Sequence, residues 1–307
     1  MKLFRIDGLK LKSIKTQPFK TEKEIQTLVE KNLMDLFGLE MVQSELSVKN
    51  YRLDTLCFDK ENKSFVIVEY KKDRNYSVID QGYTYLSLLL NNKSDFVLEY
   101  NERMGKNLRR DDIDWSQSRI LFISPNFTDY QKQSVNFKDV PFELWEIKRY
   151  EDDHLILNQH KTDSEVSITT TSTDTSSVVS NVSRQVMVYT ENYHLYEVKN
   201  RKESVVELYN RFRERVLSFG DVEIVPRKFY ISFQKGRPFT DVEFQKDNLL
   251  VFVNMKKGTL NDPNRLTIDV SGKGHQGNGD YSFQLKEDSD LDYLMFLINQ
   301  SYKDKGQ

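Results

Sequence analysis

Residues 50–71 restrict the fold more than any other stretch of the chain. Asn50–Phe58 and Ser64–Lys71 are both rich in β-branched and aromatic residues, and the polar run Asp59–Lys63 between them reads as a turn. Asp54 stands inside an otherwise apolar strand, and Glu69 and Lys71 end a strand that is apolar from Phe65 to Val68. Side chains at i and i+2 of a strand share a face, so Glu69 and Lys71 lie together. A hairpin would bring Asp54 beside them. Two carboxylates meeting at a sheet edge form a hard-oxygen site suited to Mg²⁺, and an ammonium next to them can hold or activate a water. Glu-x-Lys at a strand end is by itself usually a solvated edge. Asp54 and the helix that follows set this one apart.

Around this stretch the first half alternates helices and strands, which predicts an α/β domain. Residues 3–16 read as a strand or short hairpin. Thr21, with Glu24 three residues on, predicts the start of a helix running to Phe37 and stopped by Gly38. Ile25, Leu28, Val29, Leu33 and Leu36 form its apolar stripe, and Glu22 falls close to that stripe. Such a glutamate either complements the helix dipole or reaches a metal. Glu40–Val48 is expected as the first strand of the sheet. A helix over Ser77–Leu90 places Gln81 and Tyr85 on one face, overhanging the Glu69 end of the sheet. Ser94–Tyr100, Arg119–Ser124, Phe142–Arg149 and His154–Asn158 are expected as strands, and Phe127–Phe137 as a helix.

Composition narrows the setting. With 307 residues, 38% of them hydrophobic, there is room for two domains with real cores. A net charge of −2 means that any nucleic-acid surface must be a local patch. The lone cysteine, Cys57, excludes an internal disulfide framework and fits a reducing cytoplasm. No apolar run approaches the roughly 20 residues of a membrane span, and the N-terminus lacks a signal-peptide core. A cytoplasmic protein is expected.

The ordered set Asp54, Val68-Glu69-Tyr70-Lys71 and Gln81-x-x-x-Tyr85 resembles the PD-(D/E)xK nuclease superfamily, in particular its RecB- and NucS-like branch. Arg52-Leu53-Asp54 and Val78-Ile79-Asp80-Gln81-Gly82-Tyr83-x-Tyr85 resemble bacterial proteins that pair such a domain with a C-terminal DUF5655 domain. The likeness covers about residues 15–150 and implies a restriction-endonuclease-like domain, a central mixed sheet flanked by helices. It implies that Asp54 and Glu69, helped by the Tyr70 carbonyl and by Glu22, hold Mg²⁺ or Mn²⁺. It implies that Lys71 orients the attacking water or stabilises the phosphorane, and that Gln81 and Tyr85 steer the scissile phosphate. The implied activity is metal-dependent phosphodiester hydrolysis, most directly of DNA in repair or defence. The alternative is a catalytically silent nucleic-acid-binding or protein-interaction module. A second copy of the chain, or a repair or defence protein, is an expected further partner.

These readings give domains at 1–160 and 187–307, joined by a Ser/Thr-rich linker over 161–186 that cannot bury much. The second domain shows an amphipathic helix over Lys202–Leu217, five short strands and a last helix from Ser289, a smaller α+β pattern. Arg227-Lys228-x-Tyr230-Ile231-x-Phe233 and Gly272–Asp280 resemble DUF5655 over about residues 190–304. The glycine-rich segment is either a tight loop or a phosphate cradle, with His275 a candidate ligand or base. Arg52, Arg227, Lys228, Lys273 and His275 are the candidate nucleic-acid contacts.

Overall fold

The computed structural model describes residues 2–72, 78–137, 139–161, 164, 166–167, 178–198, 202–274 and 277–305. They divide into two units, Met1–Val188 and Tyr189–Gln307.

The first unit begins with β1 (Leu3–Asp7) and β2 (Lys10–Ile14), an antiparallel pair that joins no other strand. Then comes α1 (Glu22–Glu30), capped by Thr21, whose hydroxyl accepts the Glu24 N–H at 3.1 Å. The single helix expected to Phe37 is instead two. Asn32 turns its Nδ2 onto the Leu28 carbonyl at 2.7 Å, a side-chain bond that competes with the helical ladder. A short α2 (Leu33–Phe37) resumes and ends on left-handed Gly38.

Six strands form the central sheet in the order of the chain: β3 (Glu40–Val48), β4 (Tyr51–Asp59), β5 (Ser64–Tyr70), β6 (Arg119–Ser124), β7 (Phe142–Arg149) and β8 (Leu155–His160). The β5–β6 and β6–β7 pairs are parallel and the others antiparallel, so the sheet is mixed. Every residue of β5 is buried, as a central strand covered on both faces requires. On one face Cys57, Val66, Val68 and Tyr70 pack with Ile25 and Val29 of α1. The opposite layer contains α3 (Val78–Asn91) and α4 (Lys93–Met104), whose Leu86, Leu89 and Phe96 pack with Phe58, Phe65 and Ile67. Thus α4 replaces the strand expected at Ser94–Tyr100. Its β-forming residues mislead, but Phe96, Val97 and Tyr100 are buried while Leu98 is exposed, which is helical spacing. A short α5 (Asp129–Ser134) with a Thr128/Gln131 capping box follows β6.

The expected linker is also shorter at its C-terminal end. Val178–Ser183 forms α6, with Val182 and Val186 buried in the α3 core. Met187 N–H donates to the Ser116 carbonyl at 2.9 Å. Apolar valines among the serines are what allow this tail to be buried. Thr169–Thr173, the centre of the Ser/Thr run, lies outside the described residues.

In the second unit α7 (Glu203–Leu217) precedes an antiparallel sheet of β9 (Glu223–Pro226), β10 (Ile231–Lys235), β11 (Arg237–Phe244), β12 (Leu249–Val253), β13 (Ile268–Asp269) and β14 (Tyr281–Leu285), ordered β13-β14-β12-β11-β10-β9. A final helix, α8 (Leu291–Lys305), joins α7 in a core with Phe233, Val251 and Phe283. Across the described part of the glycine-rich segment, Asn278 N–H donates to buried Asp241 at 2.6 Å. Gly279 has φ +84°, and a Cβ there would collide with Asn254 and Val253. These contacts make 277–279 a tightly fastened loop; His275 lies outside the described residues. Among the described residues no helix is long and apolar enough to cross a membrane.

Candidate active site

The β4–β5 register creates the site. Thr55 pairs with Val68, and the regular ladder stops there. One step further the side chains take over the pairing. Asp54 N–H donates to Glu69 Oε1 at 3.0 Å, and Tyr70 N–H donates to Asp54 Oδ2 at 3.0 Å. Each carboxyl therefore clasps the backbone of the other strand, which holds Asp54 and Glu69 side by side at the strand end.

This closeness has an electrostatic cost. Glu69 is only 1% exposed. Burial first, and then the charge of Asp54, push its pKa up to about 8. Burial also raises the pKa of Asp54, although the Tyr70 N–H and the Lys71 charge oppose the rise. Two carboxyls sharing a poorly solvated site resist double ionisation, a perturbation typical of functional sites.

Three further groups converge on Glu69. Lys71 Nζ lies 3.4 Å from Oε2 and is largely covered. Gln81 of α3 donates Nε2 to the same oxygen at 2.9 Å. Gln81 Nε2 also lies 3.1 Å from the Tyr85 hydroxyl, which in turn donates to the Arg52 carbonyl at 3.2 Å. Burial, followed by the Glu69 charge, raises the Tyr85 pKa, so its phenol keeps its proton. The helix reaches the sheet because Gly82 faces the Phe142 ring, where a Cβ would lie only 2.6 Å from Cζ.

Glu22 approaches from α1. Its charge helps to raise the Asp54 pKa, but its Oε1 accepts the Lys72 N–H at 3.0 Å. Among the described residues no three acidic, histidine or cysteine side chains converge into a metal cluster. Glu22 lies near enough for its charge to act on Asp54, with one carboxylate oxygen engaged by the Lys72 backbone. Arg52 contributes its carbonyl to the site, while its exposed guanidinium lies 3.4 Å from Glu45 Oε2.

Sequence reasoning missed a polar support behind the pair. Gln26 is buried on α1, with Nε2 at 3.1 Å from the Asp54 carbonyl and 2.9 Å from Glu30 Oε1. Thr55 donates to the same Glu30 oxygen at 2.7 Å. The available signal was Gln26 itself, a polar residue lying between Ile25 and Val29 on the buried face.

Asp54 and Glu69 are the side chains here whose oxygens could be offered to a hard divalent cation. Asp54 and Glu69 offer carboxylate oxygens in a buried position where their mutual repulsion favours a positive partner. The Tyr70 backbone lies against the same carboxyl, while its hydroxyl faces Thr55 at 3.3 Å. The other expected contacts belong to the second unit. Arg227 and Lys228 lie on the β9–β10 connection, where the Arg227 carbonyl is 2.6 Å from His194 Nε2 and Lys228 Nζ sits 5.3 Å from the Phe229 ring centroid. Lys273 is exposed in the turn after β13.

A protein of Haemophilus influenzae described only as uncharacterized is 44% identical over 306 residues, 99% of this chain and all of its own length. The chain belongs to its family. Residues 196–305 match a family described as a domain of unknown function, DUF5655. Solved structures with slighter likeness include EndoMS in complex with double-stranded DNA, at 17% identity and TM-score 0.23 over 43% of this chain and 45% of that one. A repair endonuclease from Pyrococcus abyssi matches at 18% and 0.22 over 39% and 45%. SfsA of Pyrococcus furiosus with Ca²⁺ matches at 17% and 0.23 over 44% and 60%. The chain thus spans between about half and three-fifths of these structures, and at such scores nothing is drawn from them.

Proposed function

We propose that the N-terminal unit is a metal-dependent nuclease of the PD-(D/E)xK type, with a restriction-endonuclease-like fold, that hydrolyses phosphodiester bonds in DNA. The observation that carries this reading is the paired clasp of Asp54 and Glu69 with Lys71 against it. Two carboxyls held side by side in a buried site are costly to ionise together, a cost that a bound cation would offset. Asp54 and Glu69, with the Tyr70 carbonyl, would hold Mg²⁺ or Mn²⁺. The cation would polarise the phosphate and lower the pKa of a bound water.

The protein's own groups perform the rest. Lys71, held by Glu69, presents an ammonium where charge grows on the phosphate, and can orient the attacking water. Gln81 fixes the Glu69 carboxylate and offers its amide edge to the substrate. Tyr85, kept protonated by burial, buttresses Gln81 and ties α3 to the Arg52 carbonyl. Glu22 holds the chain at Lys72, just past the site, and adds negative charge near Asp54. In the second unit Arg227, Lys228, Lys273 and His275 are the proposed backbone contacts, which would make binding salt-dependent. A reducing cytoplasm is the proposed setting, and repair or defence the proposed context. The test is a gel assay on duplex DNA, single-stranded DNA and RNA with Mg²⁺, Mn²⁺ or chelator. Cation-dependent cleavage that disappears in Asp54→Asn and Glu69→Gln is expected; absence of cleavage on every substrate would sink the reading.

A further inference from the structure

Asp54 sits at a gap in its own sheet. The ladder with β5 stops at Thr55 and Val68. The ladder with β3 pairs Thr55 with Ser44 and Leu53 with Leu46 but passes over Asp54. The residue opposite it, Glu45, has φ +52°, a left-handed backbone that interrupts regular pairing. Side chains hold the Asp54 backbone instead. Its N–H donates to Glu69 Oε1 at 3.0 Å, and its carbonyl accepts Gln26 Nε2 at 3.1 Å.

The surroundings of Gln26 select this contact. Its Nε2 lies among three oxygens: the Asp54 carbonyl, Glu30 Oε1 at 2.9 Å and Ser44 Oγ at 3.2 Å. Its Oε1 faces the Lys23 ammonium at 3.2 Å, so the amide has one favourable orientation. Lys23 in turn is held by Glu45 at 2.6 Å. The residue that interrupts the ladder and the residue that replaces it are thereby tied together. Glu30 Oε1 also accepts the Thr55 hydroxyl at 2.7 Å, which anchors the next residue of β4. Packing alone does not call for any of this. Gln26 is only 5% exposed, between Ile25 and Val29 on the buried face of α1, where an apolar side chain would carry no desolvation cost.

We propose that Gln26 is a positioning residue for Asp54: its amide holds the Asp54 carbonyl where the ladder is missing and so presets the Asp54 carboxyl beside Glu69. The inference rests on the nuclease reading for its purpose, while the contact itself can be tested without any reaction. A turn of the Asp54 peptide would take its carboxyl off the Tyr70 N–H, now at 3.0 Å, and open the clasp. Groups that fix a metal ligand from behind typically contribute roughly 10- to 100-fold to metal affinity.

The test uses the full-length protein as wild type, Gln26→Met and Val29→Ala. Methionine is close to glutamine in length and donates no hydrogen bond. Val29 is fully buried on the same helix, so its truncation weakens the packing of α1 but keeps the Gln26 amide. The first measurement is amide hydrogen exchange without any divalent cation, read at Tyr70 relative to Val68. Gln26→Met should speed exchange at Tyr70 about fivefold or more, the worth of one hydrogen bond, and Val29→Ala should not. The second is Mn²⁺ binding by calorimetry without DNA. Its Kd should rise roughly tenfold or more in Gln26→Met and stay at the wild-type value in Val29→Ala. Should Gln26→Met fail to fold, Gln26→Asn, one methylene too short to reach the carbonyl, takes its place with the same expectations. Unchanged exchange at Tyr70 overturns the inference; so does an equal rise in Val29→Ala, and so does an unchanged Mn²⁺ affinity. Cleavage is scored separately. A wild type that neither binds Mn²⁺ nor cuts, with exchange rising only in Gln26→Met, leaves the positioning role standing and sinks the nuclease reading. A wild type that cuts, with Gln26→Met exchanging at the wild-type rate, does the reverse.

Discussion

At the scale of single residues, the site depends on carboxyls held where water solvates them poorly. Asp54→Asn, Glu69→Gln and Lys71→Ala should each lower cleavage by about 100-fold or more while leaving a cooperative melt. Added Mg²⁺ should raise the melting temperature of the wild type but not of Asp54→Asn. Ligand linkage gives about 2.7 kcal/mol when free cation is 100-fold above Kd. A different acid contributes to the stability of the second unit. Burial works to raise the Asp262 pKa, but donors from Thr267, Tyr293 and Leu266 outweigh it and hold the carboxyl below its ordinary value. A depressed pKa means that the stabilisation is fully present above the unfolded-state value, about 3.9, and is lost as pH falls through the folded value. Asp262→Asn should therefore lower the melting temperature at pH 7, and the gap from wild type should narrow as the solution is acidified toward and below that range.

At the scale of elements, the contact of α3 with the sheet sets the site's precision. Gly82→Ala would drive a methyl into the Phe142 ring, which is itself hemmed in by Tyr83 and Phe122. We expect a loss of about 1–3 kcal/mol from overpacking. Cleavage should fall further than stability explains, because Gln81 moves with the helix; single-turnover rates on folded protein check this. The same elements show what could be read in advance. That Glu69 and Lys71 share a strand face, and Gln81 and Tyr85 a helix face, was legible from strand and helix periods, while their meeting with Asp54 was expected from the hairpin and the family resemblance. The clasp was not, since it requires the ladder to stop at Thr55 and Val68, which depends on where β5 leaves β4. Nor was α4, where Phe96, Val97 and Tyr100 suit a strand by residue type and a helix by spacing. Glu22 was placed on the correct side of α1, but its engagement with the Lys72 backbone depends on a chain crossing that no local pattern encodes.

At the scale of the whole molecule, the chain folds as two units that do not divide at the Ser/Thr run. Fragments 1–188 and 189–307 should each give a cooperative melt. A fragment ending at Ser177 should be less stable than 1–188 by a few kcal/mol, since it lacks the buried Val182 and Val186, each worth about 1.5–3 kcal/mol. Equal stability of the two fragments in denaturant titrations would place α6 outside the first core.

The position of α6 also changes the status of the serines and threonines before it. In the sequence they fall between β8 and a helix of the same unit, not between the two units. The cost of lengthening a connection within one folding unit grows only with the logarithm of its length, about 0.6 kcal/mol per doubling, so insertions near Thr171 should be nearly silent. A chain broken at Thr171 should give two pieces that complement one another, with α6 on the C-terminal piece docking into the N-terminal core. The junction between the folding units therefore lies near Val188, and any chimera that exchanges the DUF5655 domain should be joined there.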